Sequence, residues 1–172
     1  METPLSISTD REGLYLRQLT TEADDAAYFA AVDACRDHLS QYDDETAANY
    51  PTLEAVTNAR THPRNPHKIR LGIWDGETFV GSINLTPDKY GGAEVGYWLD
   101  ARHTGQGYAT LALQAITGYA VQRYSDVHAR VDVNNTPSAK VLERAEYTEL
   151  ARAAGEIIFH VSGRPNRVRR DK

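Results

Sequence analysis

One cysteine, Cys35, stands alone in the 172 residues. A lone thiol excludes a disulfide within the chain and suits a reducing compartment. It lies in a helical pattern and reads as a small buried apolar residue. Six histidines are present, but none has metal-ligand spacing such as His-x-x-x-His, so no metal site is expected. No apolar run approaches the ~20 residues of a membrane span. The start, Met1-Glu2-Thr3-Pro4, lacks the basic and apolar regions of a secretion signal, and the expected location is the cytoplasm. With 41% hydrophobic and 25% charged residues, the composition is that of one ordinary globular domain.

What the chain does hold is an uneven charge. The formal net is −5. Residues 163–172 carry Arg164, Arg167, Arg169, Arg170 and Lys172 against Asp171, a net of +4. Residues 21–60 carry nine acids against Arg36 and Arg60, a net of −7.

Leu14 to Leu19 alternates as a strand does. Thr20 or Thr21 can cap a helix running to about Asp37. A second helix spans about Leu53 to Thr61, ahead of Pro63. Strands follow at Ile69 to Trp74 and Thr78 to Leu85, with Asp75-Gly76 as the hairpin signal. After a loop at 86–92 come a strand from Glu94 to Leu99, a helix from about Thr110 to Tyr124 and a strand from Val127 to Val133. A helix from Pro137 to Arg144 and strands at Tyr147 to Leu150 and Glu156 to Val161 close the pattern. Residues 1–12 are expected to be flexible, 13–162 to form the domain, and 163–172 to be a disordered basic tail. The order β-α-α-β-β-β-α-β-α-β-β implies a mixed α/β sheet flanked by helices.

The segment Arg102-His103-Thr104-Gly105-Gln106-Gly107-Tyr108-Ala109-Thr110 joins the Glu94–Leu99 strand to the next helix. Glycines there let backbone approach a ligand closely. The first helical N–H groups have no partner inside the helix and favour an anion. A Walker A loop is excluded because no lysine follows the glycines, and a dinucleotide loop because only Gly105-x-Gly107 is present, past mid-chain. The pattern Arg102-x-x-Gly105-x-Gly107 matches Arg/Gln-x-x-Gly-x-Gly/Ala, the acetyl-CoA signature of the GNAT N-acetyltransferases. Ala93 to Leu99 resembles that family's fourth strand. Asn135-Thr136-Pro137-Ser138 resembles the Asn-x-x-Ser helix of its RimJ/RimL branch, which acetylates ribosomal-protein N-termini, and Arg36-Asp37-His38-Leu39 resembles that branch's early segment. The likeness spans roughly residues 13 to 161.

This resemblance implies a GNAT fold and acetyl-CoA as cosubstrate. It implies that backbone near Gln106, Gly107, Tyr108 and Ala109 holds the pyrophosphate and that the Tyr97, Trp98 and Leu99 backbone pairs with the pantetheine arm. Asn135 either hydrogen-bonds the arm or caps the helix, and Arg102 either contributes charge or is a solvated cation. Glu94, just ahead of an apolar run, is the candidate base, directly or through water; aromatic surroundings would raise its pKa toward a useful value. Many family members carry a tyrosine acid seven residues after the asparagine, where this chain has Leu142. The RimJ/RimL likeness instead implies Ser138 as donor to the thiolate, or as a packing residue. Where the family ends this helix with Gly-Phe, the chain has Glu146-Tyr147, which places a glutamate in a turn that favours glycine. The −7 segment would form an acceptor wall that draws cationic amines: a protein or peptide N-terminus, a polyamine or an aminoglycoside-like amine. A non-catalytic acetyl-CoA-binding module stays open as an alternative. A tRNA-directed activity is disfavoured, since nucleic acid needs a basic face and only the tail is basic. Both monomer and homodimer are compatible with the chain.

Overall fold

The computed structural model describes residues 3–164. One eight-stranded sheet runs through it in the order β1-β2-β3-β4-β5-β6-β8-β7. The strands are β1 (Ser6–Ser8), β2 (Leu14–Gln18), β3 (Ile69–Asp75), β4 (Thr78–Pro87), β5 (Ala93–Leu99), β6 (Asp126–Asp132), β7 (Thr148–Ala153) and β8 (Glu156–Ser162). Every neighbouring pair is antiparallel except β5 and β6. The helices are α1 (Glu22–Ala34), α2 (Arg36–Leu39), α3 (Thr46–Asn49), α4 (Leu53–Thr61), α5 (Tyr108–Ala120) and α6 (Thr136–Arg144). Among the described residues no helix is long and apolar enough to cross a membrane.

Alternation along the strands gives the sheet two apolar faces. One holds Leu16, Leu71, Ile83 and Val95 against Leu113 and Ile116 of α5. The other packs Trp74, Phe79 and Trp98 against Tyr28 and Val32 of α1. The expected hairpin forms one residue later than the Asp75-Gly76 signal: Asp75 ends β3 opposite Thr78, and the two-residue turn is Gly76-Glu77, with Gly76 at φ 58°.

Three local expectations are corrected. Ser6–Ser8 is an edge strand paired with Tyr15–Arg17, not a loose segment. The helix opened by Thr21 stops at Ala34, because Cys35 leaves helical geometry at φ −140°. The chain then turns through α2, a 3-10 turn at Gln41–Asp43 and α3. Arg36 fastens this segment by donating to the carbonyls of Ala47, Tyr50 and Pro51. Helix α5 begins at Tyr108, two residues earlier than expected, because Gly107 is its N-cap. The tail expected to be disordered lies, from residue 165, outside the described residues.

The end of α6 keeps its shape despite the missing glycine. Glu146 adopts φ 67°, and the Tyr147 N–H still reaches the Leu142 carbonyl at 3.0 Å. The Tyr147 ring is buried, with its hydroxyl 2.7 Å from Thr117 Oγ1. A left-handed residue with a Cβ costs ~1–2 kcal/mol, partly offset in a glycine variant by unfolded-chain entropy. Glu146→Gly is therefore expected to stabilise the fold by about 1 kcal/mol, read as a Tm rise of ~2–4 °C. A fall in Tm would contradict a strained turn.

Candidate active site

Parallel strands β5 and β6 pair only at Ala93 with Val127 and Glu94 with His128. Beyond Glu94 they part, and the backbone of Tyr97, Trp98 and Leu99 borders a cleft of about 960 Å³. Strand β5 leads through a 3-10 turn at Ala101–His103 into the glycine loop at one end of this cleft. Gly105 and Gly107 take φ 74° and 83°, where side chains are rarely tolerated. A Cβ at Gly105 would meet nothing within 4 Å, so the loop stands open above its own backbone. No side chain caps α5, whose first N–H groups therefore face the loop without a side-chain partner. An open glycine loop on an uncapped helix fits a pyrophosphate.

One cation at the loop was invisible in sequence. Arg11, in the β1–β2 turn, donates from Nη2 to the Gln106 carbonyl at 3.0 Å and stands over the Tyr108 ring at 5.2 Å. Contacts 95 residues apart leave no local signal. Arg102, the motif cation, turns the other way. Its Nε lies 3.0 Å from Asp100, a wholly buried carboxylate that also accepts the Arg102 backbone N–H at 2.9 Å. The Arg102 guanidinium holds the Asp100 carboxyl below the usual carboxylate range. Arg102 thus fixes the turn that aims the loop, while Arg11 stands at the loop.

At the cleft's other side, α6 presents Asn135 and Ser138. Asn135 Oδ1 accepts the Ser138 N–H at 3.2 Å, so it does cap the helix; its amide nitrogen keeps both donors. Ser138 Oγ lies 2.8 Å from the Tyr97 hydroxyl, joining β5 to α6 by a hydroxyl pair. Burial pushes the Tyr97 phenol up to about 12, against the opposing hydrogen bond with Ser138. It stays protonated at neutral pH and can donate. Leu142, where a tyrosine acid would stand, is fully buried.

Tyr97, Trp98, Leu99, Gly105, Gly107, Tyr108, Ala109, Asn135 and Ser138 all line this cleft. Glu94, Arg102 and Gln106 are not among its lining residues. Glu94 sits at the start of β5, 43% exposed, with Arg130 Nε at 3.3 Å and His128 Nε2 at 3.6 Å. Its side chain shares a sheet face with His128 and Arg130 of β6. Asn84 of β4, opposite Gly96, lines the cleft with a buried Oδ1 that has no partner among the described residues. Nothing in the sequence around Asn84 distinguishes it.

The expected acidic wall is also reshaped. Asp24 pairs with Arg17 at 2.7 Å, Asp25 with Arg60 at 2.8 Å and Asp33 with Arg36 at 2.8 Å. Among the described residues the cleft lining carries both signs, Asp44, Asp132 and Glu156 with Arg130 and Arg144.

A family model described as an acetyltransferase (GNAT) domain matches residues 13–148. The chain belongs to the GNAT acetyltransferase family. A curated relative, "Uncharacterized N-acetyltransferase p20" of Bacillus licheniformis, is 33% identical over 67 residues. That match covers 38% of this chain and 38% of the relative. Among solved structures, RimL, a ribosomal L7/L12 alpha-N-protein acetyltransferase in complex with coenzyme A, superposes with a TM-score of 0.76 at 20% identity, over 91% of this chain and 97% of that one. Mycobacterium smegmatis RimJ in complex with a CoA-disulfide gives 0.71 at 23% identity, over 92% and 88%. The Vibrio fischeri ribosomal-protein-S5-alanine acetyltransferase gives 0.74 at 17%, over 94% and 97%. At these identities the structures share the GNAT fold.

Proposed function

We propose that this protein is a cytoplasmic enzyme that transfers the acetyl group of acetyl-CoA to the primary α-amine of a polypeptide N-terminus. The observation that carries the proposal is the cleft itself. It runs from an uncapped helix behind two left-handed glycines, along the unpaired edge of β5, to the polar floor at Gly96 and Asn84. Such a path suits a long phosphorylated carrier at one end and a small nitrogen donor at the other. The RimL likeness supports an α-amine, since that protein is an alpha-N-protein acetyltransferase.

Acetyl-CoA would supply an activated thioester. Backbone N–H groups at Gly105 to Ala109, with Arg11 beside them, hold its pyrophosphate. The free β5 edge at Tyr97 to Leu99 and the Asn135 amide hold its arm. Asn84 Oδ1 accepts a hydrogen bond from the acceptor amine. Glu94 takes the amine proton by way of water at the cleft mouth. Tyr97 and Ser138 deliver a proton to the departing sulfur as one unit.

Because a thiolate leaves tolerably well unaided, Ser138→Ala is expected to lower kcat about tenfold with acetyl-CoA affinity unchanged. Tyr97→Phe should do the same, and the double variant should be no worse than either alone. A loss beyond about a thousandfold, or additive losses, would contradict this shared and modest role.

CoA release from acetyl-CoA tests the reading against peptides, polyamines, aminoglycosides and free amino acids, with Glu94→Gln alongside. Turnover is expected on peptides with a free α-amine, reduced about a hundredfold in Glu94→Gln. Turnover confined to small cationic amines would replace the acceptor class. Binding of acetyl-CoA without turnover on any amine would favour a sensing module.

A further inference from the structure

A second cavity of about 690 Å³ lies between α4, the chain after it and β3. Its charged lining runs opposite to the chain's net charge. Arg60, Arg64, Lys68 and Arg70 line it, and Asp25 is the one carboxylate among its lining residues. Asp25 is already taken by Arg60, whose Nε and Nη2 reach its two oxygens at 2.9 and 2.8 Å. Arg64, Lys68 and Arg70 have no carboxylate within ion-pair distance among the described residues.

Arg70 is held in place for this role. Its guanidinium lies over the rings of Tyr28 at 5.6 Å and Tyr50 at 5.2 Å, and Nη2 donates to the Tyr50 hydroxyl at 2.5 Å. Partial desolvation, then the charge of Arg70, lowers the pKa of Lys68, while Glu94 pulls it back up. Like charges gathered without a counter-ion form a receptor for an anion.

Register sets the distance between this cavity and the cleft. Arg70 on β3 opposes Asn84 on β4, which opposes Gly96 on β5. Neighbouring strands lie ~4.8 Å apart, so Arg70 stands about 10 Å from the Gly96 floor. An extended chain advances ~3.3 Å per residue. A polypeptide whose α-amine sits over the Gly96 floor would reach the cationic cavity with its third to fifth residues.

We propose that this cavity binds acidic side chains of the acceptor polypeptide, a few residues after its N-terminus. The proposal rests on the N-terminal acetyltransferase reading above and narrows its substrate class. It differs from the attraction of cationic amines suggested by the raw charge of residues 21–60, and it is argued from the cationic lining of this cavity instead.

The test uses two peptides with free α-amines and a C-terminal fluorophore, identical except for Asp or Lys at residues 3–5. Fluorescence anisotropy gives their affinity for the CoA-loaded protein, and CoA release gives kcat/KM with acetyl-CoA. The Asp peptide is expected to bind at least about tenfold tighter at low salt, with the difference closing as salt rises. In the Arg64→Glu, Lys68→Glu double variant, two exposed positions, the preference should reverse while CoA affinity stays unchanged. Equal binding of the two peptides, or a preference that survives the double reversal or high salt, would overturn the proposal. If the Asp preference appears and reverses but neither peptide is acetylated, the acidic-segment site stands and the catalytic reading falls. If both are acetylated equally well and bound equally, the catalytic reading stands and this site falls.

Discussion

Gly107→Val is expected to reduce acetyl-CoA affinity at least about a hundredfold in a calorimetric titration. Gly107 holds φ 83° as the N-cap of α5. An L residue there costs ~1–2 kcal/mol, and a β-branched one more. The chain can relieve that cost only by rotating the loop, which turns the first helical N–H groups away from the anion they face. A Cβ at this position would lie in ordinary contact with Arg11 Nη2, at 3.6 Å, and the branched methyls of valine reach further from the backbone, so that cation must shift from the loop. Both effects fall on the same ligand contact, so affinity suffers more than stability. Gly118→Ala is the control. Gly118 lies inside α5 with nothing within 4 Å of a Cβ. That change should stabilise the helix by about 1 kcal/mol and leave acetyl-CoA binding alone. Wild-type affinity in Gly107→Val would remove the loop from the binding site.

Gly81→Ala is expected to have the largest effect on stability. Gly81 of β4 opposes Leu99 of β5. A Cβ there would collide with the carbonyl oxygen of Trp98 and stand 3.0 Å from Leu99 Cα. Backbone cannot rotate away as a side chain can, so β4 and β5 must part along their ladder. Overpacking of a side-chain core costs ~1–3 kcal/mol, and a backbone clash in the central sheet belongs at or above the top of that range. A loss of about 3 kcal/mol lowers Tm by ~6–12 °C in a domain of this size. The Trp98–Leu99 edge also borders the cleft, so acetyl-CoA affinity should fall with it. A Tm within about 2 °C of wild type would show that the two strands have slack the packing does not reveal.

Much of the fold is carried by short-range chemistry and was therefore legible. The hairpin at Gly76, the Thr21 cap and the alternation of β2 each depend on neighbours in sequence. The shape of the glycine loop was legible for the same reason, since Gly105 and Gly107 take left-handed conformations that glycine favours. Segment 35–51 was not, because its shape is imposed by Arg36 reaching carbonyls 11 to 15 residues away. Arg11 at the loop and Tyr97 beside Ser138 are products of the sheet order, which brings distant strands together. The count of charges was legible, but not their pairing. Nine acids in one segment look like a negative wall until the fold spends Asp24, Asp25 and Asp33 on arginines, two of them in that same stretch. Glu94 was legible as a carboxylate at the head of β5, but not its neighbours, because His128 and Arg130 reach it from β6.

The most direct test of the account is the position of the acetyl group on a product. A peptide with one free α-amine and one internal lysine would be incubated with acetyl-CoA and the protein, then fragmented in a mass spectrometer. The account predicts one added acetyl, on the α-amine alone, and none when that amine is blocked beforehand. An acetyl on the lysine side chain alone, or no acetylation while acetyl-CoA is bound, would contradict it.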